Sequence, residues 1–172
     1  INKRNYALCC STCKDIYINC LMMKTIYLIG SLRNPKIPEI SNQLRSLGLE
    51  IFDDWFAAGE LADDSWQSYE QKKNHNFRQA LEGYAARHVF GYDKYHLDRS
   101  QMGILVLPAG KSGHLELGYL IGQGKPCFIL LDKEPDRFDV MYCFAKVCGS
   151  LDELEDSIMR EFTHALYLAD TA

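Results

Sequence analysis

Nowhere in its 172 residues does the chain keep apolar residues together for the roughly 20 positions that a membrane-spanning helix requires, so no membrane partner is expected. The start lacks a basic stretch followed by a clean apolar one, so no secretory signal is read there and the expected compartment is the cytoplasm. A basic stripe is missing too: 19 lysines and arginines are mixed among 23 aspartates and glutamates, for a formal net charge of −4. Without a positive field to neutralise a phosphate backbone, polymeric nucleic acid is not an expected partner. No Walker loop occurs, and Gly30-Ser31-Leu32-Arg33-Asn34-Pro35 lacks the three glycines of a dinucleotide fingerprint. ATP and NAD therefore rank low, and no cofactor is expected.

Metal-ligand pairs are equally scarce. Of seven cysteines, Cys9, Cys10, Cys13 and Cys20 crowd the start, while Cys127, Cys143 and Cys148 are scattered through apolar sequence. The odd number favours reduced thiols. Cys10-Ser11-Thr12-Cys13 has the spacing of half a zinc site or of a redox pair, but no second ligand pair follows it, and His75, His88, His96 and His114 show no ligand spacing. No metal site is expected. Ile1 opens the chain, whereas Met22 and Met23 stand directly before the first convincing strand. Residues 1–21 are accordingly read as an extension outside the fold, 22–165 as one domain and 166–172 as a tail.

What is present is a 47% apolar composition of a length suited to one core. Lys24-Thr-Ile-Tyr-Leu-Ile-Gly30 is a short β-branched run ending on glycine, as a buried parallel strand should be. Ile37, Ile40, Leu44 and Leu47 then recur at helical spacing until Gly48. Leu49–Asp53 reads as a second strand, Met102–Leu107 as a third, Cys127–Leu131 as a fourth, and Val147-Cys148 as part of a fifth. A short helix is expected from Asp93 to Ser100, another from near Ser112 to Gly122, and a last one capped by Ser150 and Glu153. Residues 57–92 mix aromatics and charges without strong periodicity; broken helix is expected, with Asp63-Asp64-Ser65 as a cap. Alternating strands and helices predict an α/β fold, a flavodoxin-like doubly wound parallel sheet of about five strands.

Such sheets bind ligands beyond the carboxyl ends of their strands. Three regions meet that condition: Ile26-Tyr27-Leu28-Ile29-Gly30-Ser31, the Asp93 segment through Leu97 to Ser100 and Gln101, and Ser112-Gly113-His114-Leu115-Glu116-Leu117-Gly118-Tyr119. Together they resemble the motif regions of the nucleoside 2-deoxyribosyltransferases and the related deoxynucleoside 5′-monophosphate N-glycosidases, over roughly Lys24 to Phe162. The resemblance implies that Glu116 is the nucleophile at the anomeric carbon, Asp93 assists the leaving base and Tyr27 orients the glutamate. It implies no cofactor, a small nucleoside or nucleotide as substrate, and a homo-oligomer in which a neighbour completes the pocket through a stretch resembling Asp139-Val140-Met141.

The chemistry suits these residue types. Breaking an N-glycosidic bond develops oxocarbenium character, which one carboxylate captures while another group protonates the leaving nitrogen. Glu116 in the first turns of a helix has its ionised form favoured by the helix dipole, and Ser112 and Gly113 bring backbone N–H groups close to a hydroxyl or phosphate. Gly30, Ser31 and Arg33 suit sugar or phosphate recognition, and Asp54 and Trp55 suit hydrogen bonding and stacking of a base. Taken alone, each has a plainer role: Glu116 as a capping or solvated residue, Asp93 as a helix cap, Tyr27 as a core tyrosine, Trp55 as packing under a loop.

Gly110 stands where the monophosphate hydrolases typically carry a serine, which leaves Lys111 or Arg33 to meet a 5′-phosphate, and an aspartate frequent in the transferases is missing from the same loop. A 5′-phosphate is therefore expected to be tolerated rather than required. Two other classes compete with the enzyme: a non-catalytic nucleotide-binding or sensing module of the same fold, and a redox or metal protein built on the first four cysteines.

Overall fold

A computed structural model describes residues 24–135 and 137–170, with side chains as far as residue 164. The extension 1–21, its four cysteines, and Met22 and Met23 lie outside the described residues. In chain order the elements are β1 (Thr25–Ile29), α1 (Ile37–Ser46), β2 (Glu50–Phe52), a 3-10 turn (Asp54–Ala58), α2 (Ala62–Lys72), α3 (Phe77–Glu82) and α4 (Tyr84–Arg99). There follow β3 (Met102–Val106), α5 (Lys111–Gly122), β4 (Cys127–Leu130), a second 3-10 turn (Val140–Phe144), β5 (Lys146–Cys148) and α6 (Leu151–Asp170). The strands form a parallel five-stranded sheet in the order β2-β1-β3-β4-β5, the flavodoxin-like order, with its switch point between β1 and β3.

Every residue of β1, β3 and β4 is buried because helices cover both faces of the sheet. Period-two alternation divides them between two cores. Ile26 and Leu28 pack with Ile37, Ile40 and Leu44 of α1 and with Leu154, Ile158 and Phe162 of α6. Tyr27 and Ile29 face the opposite side, with Phe52, Leu97 of α4 and Leu117 and Leu120 of α5. Helix ends follow local chemistry. Gly48 takes φ +86° just after α1. At the start of α6, Ser150 Oγ accepts from Glu153 N at 3.2 Å, while the Glu153 carboxylate accepts from Gly149 N at 2.8 Å.

Two expectations need correction. Residues 57–92 are broken helix as expected, but α2 begins at Ala62 with Asp63 and Asp64 inside its first turn, where the dipole favours them, rather than as its cap. Asp93 does not open a short helix; it lies well inside α4, which starts nine residues earlier at Tyr84. Tyr84, Val89, Phe90 and Tyr95 are exposed on this helix, and apolar residues outside the core blur the amphipathic period from which a helix is read. Breaks in the region are well capped: Asn76 Oδ1 accepts from Gln79 N at 3.1 Å, and Gln79 Oε1 accepts from Asn76 N at 2.9 Å.

Candidate active site

Tyr27 is buried in the middle of β1, and its ring packs 5.0 Å from that of Phe52 on β2. Phe52 in turn stacks on His96 of α4 at 3.8 Å. His96 Nδ1 accepts from Arg99 Nε at 2.8 Å, and the same arginine reaches Glu50 and Thr25 at 3.1 Å each, so the last turn of α4 is fastened to the start of the sheet. His96 and Leu97 lie three and four positions beyond Asp93, hence on the same helical face. That register puts Asp93 over β1, where the Tyr27 hydroxyl hydrogen-bonds to its carboxyl group.

Glu116 arrives from α5. Gly113, one turn earlier, lets the helix settle on the sheet: a Cβ there would stand 3.1 Å from both Ile29 Cγ2 and Leu105 Cδ1. Further along, Tyr119 donates to Asp98 at 2.6 Å, and Lys125 Nζ donates to the carbonyls of Leu97 and Asp98 at 2.8 and 2.9 Å. These bonds pin the C-terminal ends of α4 and α5 together. Asp93 and Glu116, each further from these ties toward the start of its helix, lie close enough for the charge of Asp93 to act on Glu116.

Burial pushes the Glu116 carboxyl up to about 7, and the negative charge of Asp93 adds to the effect. Burial likewise raises Asp93 above the usual carboxylate range, with the Tyr27 hydrogen bond pulling against it. Tyr27 is driven far upward by burial and by both carboxylates, so it remains protonated and serves as a donor. Burial raises both carboxyls and the charge of Asp93 raises Glu116 further, so ionising both at once is disfavoured and the pair retains a proton up to near neutral pH.

The other anticipated residues are distributed around this pair. Gly30 ends β1, and a Cβ on it would meet Ile37 Cδ1 at 2.5 Å and Trp55 Cη2 at 3.4 Å. Trp55 donates its indole N–H to the Leu28 carbonyl at 2.7 Å and packs against both cores, so its polar atom is already engaged. Asp54 is exposed at the start of the 3-10 turn. Ser31 Oγ accepts from Arg33 N at 3.2 Å, and Arg33 pairs with Asp64 of α2 at 2.9 Å. Gly110 caps α5, with Lys111 and Ser112 exposed in its first turn. Met141 is exposed on the second 3-10 turn and is not brought to Glu116. That turn meets the other side of α5, because His114, about 200° around the helix from Glu116, bonds Tyr142.

His114 is one of the groups that sequence reasoning missed. Its Nδ1 donates to the Gly110 carbonyl at 2.8 Å, and its Nε2 lies 2.9 Å from the Tyr142 hydroxyl, so it joins the start of α5 to the second 3-10 turn. Also missed was a groove of about 360 Å³ at the switch point, lined by Ser31 to Lys36 without Leu32, and by Pro108, Ala109 and Asp132. Lys36 and Asp132 form an ion pair there, between the loops after β1 and β4. Ser31 and Arg33 in its lining were read as sugar or phosphate contacts, but Asn34, Lys36 and Asp132 carried no such signal. A hollow of similar size on α2, lined by Leu61, Asp64, Ser65, Ser68, Tyr69 and Lys72, contains none of the strand-end residues. Among the described residues, no three His, Cys, Asp or Glu side chains gather as a metal-binding set, and no helix is long and apolar enough to cross a membrane.

No protein-family model matches the chain, and no curated protein sequence matches it. Among solved structures, the CMP N-glycosidase BcmB of Clostridium botulinum is 14% identical, with 78% of this chain and 98% of that one covered at a TM-score of 0.46. A 2-deoxyribosyltransferase of Bacillus psychrosaccharolyticus is 17% identical, with 76% of this chain and 90% of that one covered at a TM-score of 0.52. This chain shares the fold of that transferase.

Proposed function

We propose that this protein cleaves or transfers at the N-glycosidic bond of a nucleoside or nucleoside 5′-monophosphate, with Glu116 as nucleophile. The observation that carries the reading is the meeting of Asp93 and Glu116, from two different helices, above the buried Tyr27 hydroxyl. In the first half-reaction a Glu116 oxygen bonds to the anomeric carbon as the bond to the base breaks. The bonding pair leaves on the base nitrogen, which takes a proton from Asp93. In the second half, water or another base attacks the same carbon, Asp93 recovers a proton and Glu116 leaves as carboxylate. Tyr27 orients the carboxylates. Gly30, Ser31, Arg33, Gly110, Lys111, Ser112 and Gly113 surround the sugar end, and Asp54 and Trp55 lie toward the base. No cofactor enters this scheme, and the reduced thiols read from the sequence suit a cytoplasmic setting.

Exposed apolar residues on α4 and in or just before the second 3-10 turn, among them Phe90, Tyr95, Phe138 and Val140, support assembly with further copies of the chain. Met141 would then serve a neighbour's cleft. The direct test is a panel of nucleosides and monophosphates, with and without an acceptor base, followed by chromatography of the products. A 2-fluoro-substituted nucleoside should leave a sugar adduct on the peptide carrying Glu116. A label on any other residue, or full activity in Glu116→Ala, would remove the basis of the assignment.

A further inference from the structure

The groove at the ends of β1 and β3 carries two cations, and both are already matched. Arg33 donates to Asp64 at 2.9 Å, and Lys36 pairs with Asp132 across the groove. The four side chains sum to zero formal charge. Asn34 is buried beside them, and its orientation is set because Oδ1 accepts from Lys36 N at 3.1 Å. Its Nδ2 is thereby left as a buried donor with no partner among the described residues, a costly state unless water or a ligand supplies an acceptor oxygen.

We propose that this groove takes the uncharged hydroxymethyl end of a nucleoside's sugar, and that Asp64 and Asp132 select against a 5′-phosphate by neutralising the two cations that would hold it. The identity of the ligand rests on the N-glycosidic reading above. A hydroxyl oxygen satisfies the Asn34 amide without needing a counter-charge. A phosphate meets a groove with no net positive field and a carboxylate, Asp132, in its wall.

The test compares kcat/KM for a nucleoside and its 5′-monophosphate at fixed ionic strength, in the wild type, Asp64→Asn, Asp132→Asn and the double variant. The wild type should favour the nucleoside or treat the two alike within about tenfold. Each single variant should raise the monophosphate-to-nucleoside ratio by roughly fivefold, and added salt should shrink the gain. A second arm uses inorganic phosphate alone, read as the rise in Tm over chloride of equal ionic strength: the double variant should respond and the wild type should not. A wild type preferring the monophosphate by more than about tenfold, or an unchanged ratio in the double variant, overturns the proposal. If the wild type turns over neither compound, the N-glycosidic reading fails by itself and the phosphate arm decides: a response confined to the variant supports the neutralised groove, and equal responses refute it. Should either single variant not fold, the other still carries both arms.

Discussion

Asp93 on α4 and Glu116 on α5 both act on the hydroxyl of the buried Tyr27, and the charge of Asp93 reaches Glu116, so two groups of like charge lie close together where burial raises both. Water would normally keep such groups apart in energy by solvating each. Here the helices hold them together, because α4 and α5 are cross-tied at Asp98, Tyr119 and Lys125.

Removing either carboxylate should have different consequences. Glu116→Ala is expected to lower kcat by at least about a thousandfold for every substrate, since no covalent intermediate can form. Asp93→Asn should slow poor leaving groups much more than good ones, because the amide cannot give up a proton. A series of bases of graded acidity, followed by initial rates, separates the two outcomes. Equal slowing across the series in Asp93→Asn would show that Asp93 does not protonate the base.

The pH profile follows from the Glu116 carboxyl being pushed up to about 7. The nucleophile must be ionised, so kcat/KM should fall on the acid side with an apparent midpoint near that value. The two carboxyls share one proton in this range, and Asp93→Asn leaves Glu116 with no carboxylate beside it, so the limb should move to lower pH. A profile flat between about pH 5 and 8 would contradict the environment assigned to Glu116.

Stability should run opposite to activity. The folded-state value of Glu116 lies above that of a glutamate in an unfolded chain, so the fold is favoured while the group is protonated. That advantage is complete below the unfolded value, about 4.3, and is lost as pH rises through about 7. Glu116→Gln keeps the neutral form at all pH. The variant should therefore match the wild type near pH 4 and exceed it by about 1–3 kcal/mol at pH 8, as measured by urea denaturation.

Gly113→Ala tests the seating of α5. The new methyl would stand 3.1 Å from Ile29 Cγ2 and Leu105 Cδ1, closer than comfortable packing, so these packed side chains or the first turn of the helix must give by a few tenths of an ångström. A stability loss of about 1–3 kcal/mol is expected. Because Glu116 rides on the same helix, kcat should fall more than KM rises. A variant with native rate and native Tm would show that close seating is not needed.

Much of this was legible in the residues themselves. Strands β1, β3 and β4 could be read because both faces of a central parallel strand are buried, leaving an unbroken apolar run. Tyr27, Asp93 and Glu116 were singled out through the resemblance of their segments to family motif regions, since each taken alone has a plainer role. The start of α4 could not be read, since its exposed Tyr84, Val89, Phe90 and Tyr95 hide the amphipathic period.

By itself the amino-acid order determined the alternation of elements, hence a doubly wound sheet, because periodicity and glycine stops are local properties. Only the tertiary structure decided which charges meet. Arg33 finds Asp64 across 31 positions, and Lys36 finds Asp132 across 96. Asp93 and Glu116 come within each other's field only after α4 and α5 have docked side by side. Electrostatic character depends on distance and burial, and both are created by packing between segments that are remote in the chain.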